Sequence, residues 1–585
     1  MKHYRNPFTR DGEELVSVSS GMVADEATKK DLLTAYDIGE ANFLSFVESR
    51  IDKKEVDFFA PIKANKLRTF AGAKRPERKK PEALQHVEAD RSLFAKLALV
   101  AKERDISMKE ILCYSLSPVP GCMASADYGS MAKTRKAQLL AYLEESIPGC
   151  KVEKKPDNAA LIIDAMTLIR SEPAATLPDR FGAFAKAIFN SVTKLSKQYN
   201  ATRVDLVGDR YDAVSIKNLE RARRHDSTQE YAINNGEQKL PVKWDSYLSS
   251  GKNKQALQAF ISLQLQDFTS THNFTLVVAL QQQVYELQYG SNLLPVRRDV
   301  TELNSDHEEA DTRMLLHVKH AAETHQNTIL WTTDTDVVAI AIGQNSQISS
   351  NILFATGTRL KKRMINLSLM AESLGPLADH LPALHALTGC DTCSSFYNKG
   401  KKTVMKLVRK RPDLIGGLAA IGEDWNLCDI PDGIESLICA LYGSKCKTVN
   451  EARYNIFRTG TSDKLLPPNN DALLQHLKRV NYQTRVWKLA LQPEIKPPSP
   501  VGKGWEMDGH GNLDIKWLEE SFAPPSVLKV TKCSCKTGCA GRCSCHKNNL
   551  RCTALCTCTD CSNTVTDNTV QSDSESSDSS DDDME

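Results

Sequence analysis

The sequence predicts a three-layer α/β domain built on a parallel central sheet. A helical region precedes it, and a small cysteine-dense module and a disordered acidic tail follow. Three observations carry this. Short apolar runs ending in aspartate alternate with amphipathic stretches between 156 and 430. Nine of the 17 cysteines fall between 533 and 561. From 564 onward the chain is dominated by Ser, Asp and Glu, a composition that cannot bury a core.

The 585 residues are enough for roughly three or four domains. A net charge of +2 says little by itself, but the charge is uneven: 217–224 and 399–411 are basic and the last twenty residues acidic. The start, Met1-Lys2-His3-Tyr4-Arg5-Asn6, has no apolar core of the kind a secretory signal needs. No run of eighteen apolar residues exists, so neither a membrane span nor a membrane partner is expected. Cysteine-rich and without a signal, the chain points to reduced thiols or metal sites rather than to disulfides.

In chain order, 1–155 is expected to be a helical region, with apolar residues at three- and four-residue steps in 27–50 and 92–117. A basic, Pro-containing linker at 74–81 separates them. Ala160-Leu161-Ile162-Ile163 is a continuous apolar run, as a buried parallel strand requires, and ends at Asp164. A helix is expected over 181–199. Arg203-Val204-Asp205-Leu206-Val207-Gly208 gives a second strand ending at Asp209. The stretch 308–323 reads as an amphipathic helix, Thr328-Ile329-Leu330-Trp331-Thr332 as a third strand ending at Asp334, and 352–355 as a fourth. Strands alternating with helices predict a parallel sheet over 156–430. Helical periodicity returns over 403–490, so 431–502 is expected to be a helical extension closed by a Pro-rich linker at 492–502. A compact module at 530–563 and the tail at 564–585 complete the chain.

Acidic residues recur where strands end: Asp164, Asp209 and the pair Asp334/Asp336. Glu309 and Asp311 open the 308–323 helix, and Asp391 sits in Leu387-Thr388-Gly389-Cys390-Asp391. Ligands of open parallel sheets bind at the carboxyl ends of the strands. Seven carboxylates converging there raise one another's pKa, a conflict that hard divalent cations resolve. One or two Mg²⁺ or Mn²⁺ ions held there suit phosphodiester hydrolysis. For each residue singly the blander reading is a helix cap; the ordered set is what points to metal.

That order resembles the flap-endonuclease branch of PIN-like nucleases over roughly 156–430. Leu161-Ile162-Ile163-Asp164 resembles that family's first metal ligand, and Val207-Gly208-Asp209 its second. Glu309-Ala310-Asp311 is similar to its Glu-Ala-Glu helix start, Asp334-x-Asp336 to its paired aspartates, and Gly389-Cys390-Asp391 to its Gly-x-Asp. The resemblance implies that Lys217 and Arg223, on a basic stretch after Asp209, grip the scissile phosphate. It also implies that Gly400, Lys401 and Lys402 present a helix start to a nucleic-acid phosphate. The chain departs from the family in carrying about 155 residues before the first strand and in having Asp311 for the second Glu. The segment between Asp209 and Glu309 has no evident counterpart.

Cys533, Cys535, Cys539, Cys543, Cys545, Cys552, Cys556, Cys558 and Cys561 follow the spacing C-x-C-x3-C-x3-C-x-C-x6-C-x3-C-x-C-x2-C. Four thiolates satisfy one tetrahedral Zn²⁺, so nine can serve three if three sulfurs bridge. So polar a segment would draw its folding free energy from the metal. The pattern resembles the tesmin-type CXC domain, which binds three zincs and associates with DNA. Arg542 stands where that family has its minor-groove tyrosine, which leaves the module a basic anchor for nucleic acid. His-Glu-Glu-Ala-Asp-Thr (307–312), Thr-Asp-Val and Leu-Thr-Gly-Cys-Asp-Thr also resemble elements of transposon-associated animal proteins.

The expectation is a divalent-metal-dependent, nuclease-like protein, nuclear, with nucleic acid (DNA foremost) and chromatin proteins as partners. The alternative is a catalytically inactive PIN-like DNA- or chromatin-binding protein. A transposase with an RNase-H-like core needs fewer carboxylates and an acidic residue on a late helix.

Overall fold

The computed structural model describes residue 15 and residues 23–62, 107–125, 130–173, 176–211, 216, 229–357, 362–459, 463–509, 511–524, 533–535, 539, 543–547 and 558. Its centre is an eight-stranded sheet. The strands are β1 (Ala159–Asp164), β2 (Ala201–Val207), β3 (Phe274–Ala279), β4 (Tyr285–Tyr289), β5 (Val296–Asp299), β6 (Asn327–Trp331), β7 (Asn351–Thr356) and β8 (Arg363–Asn366). The order is β5-β4-β3-β2-β1-β6-β7-β8. β3-β2-β1-β6-β7 are parallel, and antiparallel β4, β5 and β8 form the edges. β1 pairs with β2 on one side and with the much later β6 on the other, so a topological switch point lies beside β1.

Every residue of β1 is buried, because helices cover both faces of the sheet. Side chains alternate across a strand, and the two faces feed two cores. Ala160 and Ile162 join one core; Ala159, Leu161 and Ile163 join the other. The second core is sealed by α3 (Phe181–Tyr199) and α4 (Gly251–Leu265). Phe181, Phe184, Ile188, Val192 and Leu195 of α3 recur at three- and four-residue steps and are all buried. Asn200 ends α3 in the left-handed region (φ 51°), which Asn tolerates. The first core holds α5 (Ala310–Ala321), α6 (Asp336–Gln344), α7 (Leu367–Leu374) and α8 (Leu377–Leu387).

The expected three-layer architecture with a mainly parallel sheet is present. α1 (Ala137–Ser146) buries Leu139, Leu140 and Leu143 in the first core, so this helix packs with the sheet. α10 (Asn470–Lys488) buries Leu473, Leu477, Val480 and Trp487 there too. The Pro-rich stretch 492–502 is tied down rather than free: Ile495 and Lys496 N–H donate to the Asp306 carboxylate at 2.7 and 2.8 Å. His307 Nε2 meets the Gln492 carbonyl at 2.7 Å. Two helices, Glu26–Leu33 and Ala35–Val47, realise the 27–50 periodicity. The linker at 74–81, most of 92–117 and the tail lie outside the described residues. No described helix is long and apolar enough to cross a membrane.

Candidate metal centre

The chain turns from β1 into α2 (Ala165–Ser171) at Asp164. One carboxylate oxygen accepts the Met166 and Thr167 N–H groups at 2.8 and 3.1 Å. The other accepts the hydroxyls of Thr167 at 2.6 Å and Thr332 at 3.0 Å. Asp164 is thus a helix cap whose second oxygen is tied to the end of β6. Burial raises its pKa, and the Asp209 charge adds to the effect against the Thr167 and Thr332 hydrogen bonds. Asp209, just past β2, accepts the Ala310 N–H at 2.8 Å and so caps α5 across the chain. Buried Arg313 fixes that junction: its guanidinium donates to the carbonyls of Ala279 (2.7 Å) and Gln281 (2.6 Å).

The acidic centre begins at the residue of α5 next after Ala310. Carboxylate oxygens of Asp311, Asp334 and Asp336 lie within 4.8 Å of one another. Asp311 projects from the first turn of α5 and Asp336 from that of α6, where the helix dipole favours negative charge. Asp334 accepts the Asp336 N–H at 2.9 Å. Burial, then the charge of Asp336, lifts the Asp334 pKa to about 6. Asp336 is held low: burial opposes this, but Lys136 and His385 outweigh it. His385 Nε2 donates to Asp336 Oδ1 at 2.9 Å. Lys136 Nζ lies 2.7 Å from Asp336 Oδ2, 2.7 Å from Asp391 Oδ1 and 3.9 Å from Asp334 Oδ1. Asp391 reaches this spot because Gly389 adopts a positive φ of 102°; a Cβ there would meet Ser395 Cβ at 2.8 Å.

A cleft of about 600 Å³ opens over these groups, lined by Lys136, Asp164, Asp209, Asp334 and Asp391 among others. Arg170, Lys254 and Lys362 add positive charge to its walls, and Trp331 an aromatic ring. A hard-oxygen donor set this dense beside basic residues fits a small divalent cation that also meets phosphate. Of the seven expected carboxylates, Asp164, Asp209, Asp334 and Asp391 line this cleft, and Asp311 and Asp336 lie buried beside Asp334. Glu309 instead lines a separate pocket with Thr392, Tyr482 and Gln483.

Among the expected phosphate contacts, Lys217 and Arg223 lie outside the described residues, as does Arg542. Gly400 caps α9 (Lys401–Lys410). Lys402 is half exposed and meets Glu145 at 2.8 Å. Lys401 turns inward, contrary to the expectation from its sequence. Its ammonium donates to the His385 carbonyl (2.8 Å), the Gly389 carbonyl (2.7 Å) and Thr388 Oγ1 (3.1 Å). Three donors meet three acceptors, so Lys401 braces the Gly389 turn. The reason is the buried face of α9, to which Lys401, Val404, Met405 and Val408 belong.

Sulfurs of Cys533, Cys535, Cys539 and Cys543 lie within 4.8 Å of one another, with Cys533 and Cys539 Sγ 3.6 Å apart. Cys558 packs against this group. Four soft thiol donors in a knot fit Zn²⁺. Cys552, Cys556, Cys561 and the side chain of Cys545 lie outside the described residues.

Sequence reasoning missed Lys136 and His385. Lys136 belongs to a run of basic residues (Lys133, Arg135) before a helix and looks like a solvated face. His385 sits on an apolar helix and reads as a core histidine.

No family model matches the chain, and no curated protein matches it. Solved structures that match include a bacteriophage T5 protein co-crystallised with metal ions (12% identity, 57% of this chain, 91% of that one, TM-score 0.28). A T5 5′-exonuclease with bound zinc matches at 14% identity over 57% and 91% of the two chains, TM-score 0.26. A T5 flap endonuclease in a pseudo-enzyme–product complex with DNA and metal ions matches at 15% over 57% and 100%, TM-score 0.25. Superpositions this loose carry no weight for function, and the site stands on its own geometry.

Proposed function

We propose that the protein is a divalent-metal-dependent phosphodiesterase acting on nucleic acid, DNA foremost. The observation that carries this reading is the convergence of Asp311, Asp334 and Asp336 to within 4.8 Å of one another, with Asp334 opening onto a cleft that Asp164, Asp209 and Asp391 also line. Asp311, Asp334 and Asp336 would hold Mg²⁺ or Mn²⁺, with Asp164, Asp209 and Asp391 around them. The ion supplies a Lewis acid and a water of lowered pKa. The chain's own groups do the rest. Asp209 and Asp164 lock the starts of α5 and α2, which fixes the carboxylates. His385 holds Asp336 in one rotamer. Lys254, Arg170 and Lys362 attract and orient the polyanionic backbone. Lys217, Arg223, Gly400, Lys402 and Arg542 extend the same proposal to phosphates farther along the strand.

The cysteine module belongs to the proposal as a three-zinc anchor for DNA, and with it a nuclear location and chromatin partners. Native mass spectrometry of the full chain should show three zincs; none or one contradicts the assignment. A fusion protein excluded from nuclei would count against the location.

The deciding experiment incubates purified protein with Mg²⁺ or Mn²⁺ and branched or single-stranded DNA. Cleavage is expected, falling at least about 10²-fold in Asp334→Ala, since a lost ligand forfeits several kcal/mol of transition-state stabilisation. Absence of cleavage leaves the inactive DNA-binding alternative, and equal cleavage by both proteins overturns the assignment of this site.

A further inference from the structure

We infer that Lys136 is a built-in cation of the carboxylate centre, which therefore takes one divalent ion rather than two. The inference rests on the phosphodiesterase reading and sharpens it. A two-ion phosphodiesterase places its metals about 4 Å apart and shares carboxylates between them. Asp336 is the innermost carboxylate here, and both of its oxygens are engaged by the protein: Oδ1 by His385 and Oδ2 by Lys136. The same ammonium meets Asp391 Oδ1 at 2.7 Å. It thus bridges two carboxylates from separate segments, which is the place a second metal would take. An ammonium and a divalent cation cannot share that place, because two cations in contact repel strongly in so buried a site.

Lys136 is also held where it stands. Its side chain is 20% exposed. It is the residue just before α1, whose Leu139, Leu140 and Leu143 are packed in the core. Just upstream, Lys133 Nζ donates to the Asp391 carbonyl at 2.7 Å. The Ala132 carbonyl accepts the Ser395 N–H at 2.8 Å and its hydroxyl at 3.1 Å. The segment before β1 is thereby clipped to the loop that carries Asp391. The one ion would be held by Asp311, Asp334 and the remaining lone pairs of Asp336. In that arrangement the ammonium gives the charge that a second metal would give, and its protons can donate to a phosphate oxygen. Lys136 would be a catalytic residue touching substrate.

The test counts metal. Full-length protein with its zinc retained is titrated with Mn²⁺, and bound ions are counted from the loss of the free-ion electron paramagnetic resonance signal. Wild type and Lys136→Arg should bind one ion at the centre. Lys136→Met should bind two, the first at least about tenfold more tightly than in wild type, since a repelling charge is gone. Circular dichroism confirms that the variants fold. Two ions bound by wild type overturn the inference whatever the variants do, as does an unchanged count and affinity in folded Lys136→Met. Cleavage is scored separately. One bound ion without DNA cleavage removes the phosphodiesterase reading and keeps the ion count; two bound ions with cleavage do the reverse.

Discussion

Asp334→Asn separates the electrostatics of the acidic centre from its fold. The carboxamide keeps the oxygen that accepts the Asp336 N–H, so the start of α6 is preserved while one negative charge disappears. Without metal, the Asp334 pKa stands at about 6 against an ordinary 3.8. A carboxyl group raised in the folded state binds its proton more tightly there than in the unfolded chain. Its stabilisation is present below about pH 4 and is lost as pH rises through about 6. The full difference corresponds to about 3 kcal/mol. The side chain is 32% exposed, so solvent screening trims this to about 1–2 kcal/mol. At pH 7.5 in EDTA, Asp334→Asn should therefore be more stable than wild type by about 1–2 kcal/mol.

Divalent metal should reverse the order. An ion that binds only the native state stabilises it by about 2.7 kcal/mol at a hundred times its Kd, and a variant short of one ligand loses most of this. The assay is urea unfolding of both proteins in EDTA and in saturating Mg²⁺. A variant less stable than wild type in EDTA, or one that gains as much from Mg²⁺, would refute the assignment of Asp334 as a destabilising ligand.

Two further predictions concern groups near the site and in the core. Lys401→Met leaves three buried acceptors without their donor and should cost about 3–5 kcal/mol in urea unfolding, whereas Lys402→Ala should stay within about 0.5 kcal/mol of wild type; the opposite ranking contradicts the inward placement of Lys401. Burial lowers the pKa of His307 and His317 to about 4 and of His476 to about 3. The unfolded chain then takes up protons first as pH falls, so stability is complete above about 6.5 and declines toward 4, by up to about 1.4 kcal/mol per pH unit for each histidine. Asp334 and Asp164, both raised by burial, slope the other way but are fewer than the histidines, and an unfolding midpoint that does not fall between pH 7 and 5 sinks the claim.

The parallel core was legible because its strands are buried on both faces and so read as unbroken apolar runs: β1, β2, β6 and β7 lie where Ala160–Ile163, Arg203–Gly208, Thr328–Thr332 and 352–355 place them. Helix α3 matches the expected 181–199. The flank β3–β5 went unread. β3 has an apolar run (Phe274-Thr275-Leu276-Val277-Val278-Ala279) and β4 a period of two, but both sit in a Gln-rich stretch between Asp209 and Glu309. β5 is exposed throughout and reads Val-Arg-Arg-Asp, the charged composition of a sheet edge that avoids further pairing. The cap and ligand readings of the strand-end aspartates are not rivals in this fold. Asp164 and Asp209 cap α2 and α5 and line the cleft as well, because a strand's carboxyl end and the next helix's amino end share one edge of the sheet.

What the sequence could not disclose is the counter-charge. Local pattern reveals where acids sit, since each follows a strand or opens a helix. A lysine 200 positions away from its partner Asp336 leaves no periodic trace, and its neighbours Lys133 and Arg135 disguise it as a surface run. Yet the acidic centre requires such a partner. Asp336 is 3% exposed and lies within 4.8 Å of two other aspartates, so without metal its ionised form persists only if a cation is close. Lys136 meets that need from the segment before β1, and α1 can hold it there only by packing into the same core as α5, α6 and α8. Lys136 and α1 are therefore structurally part of the acidic centre rather than an appendage to it.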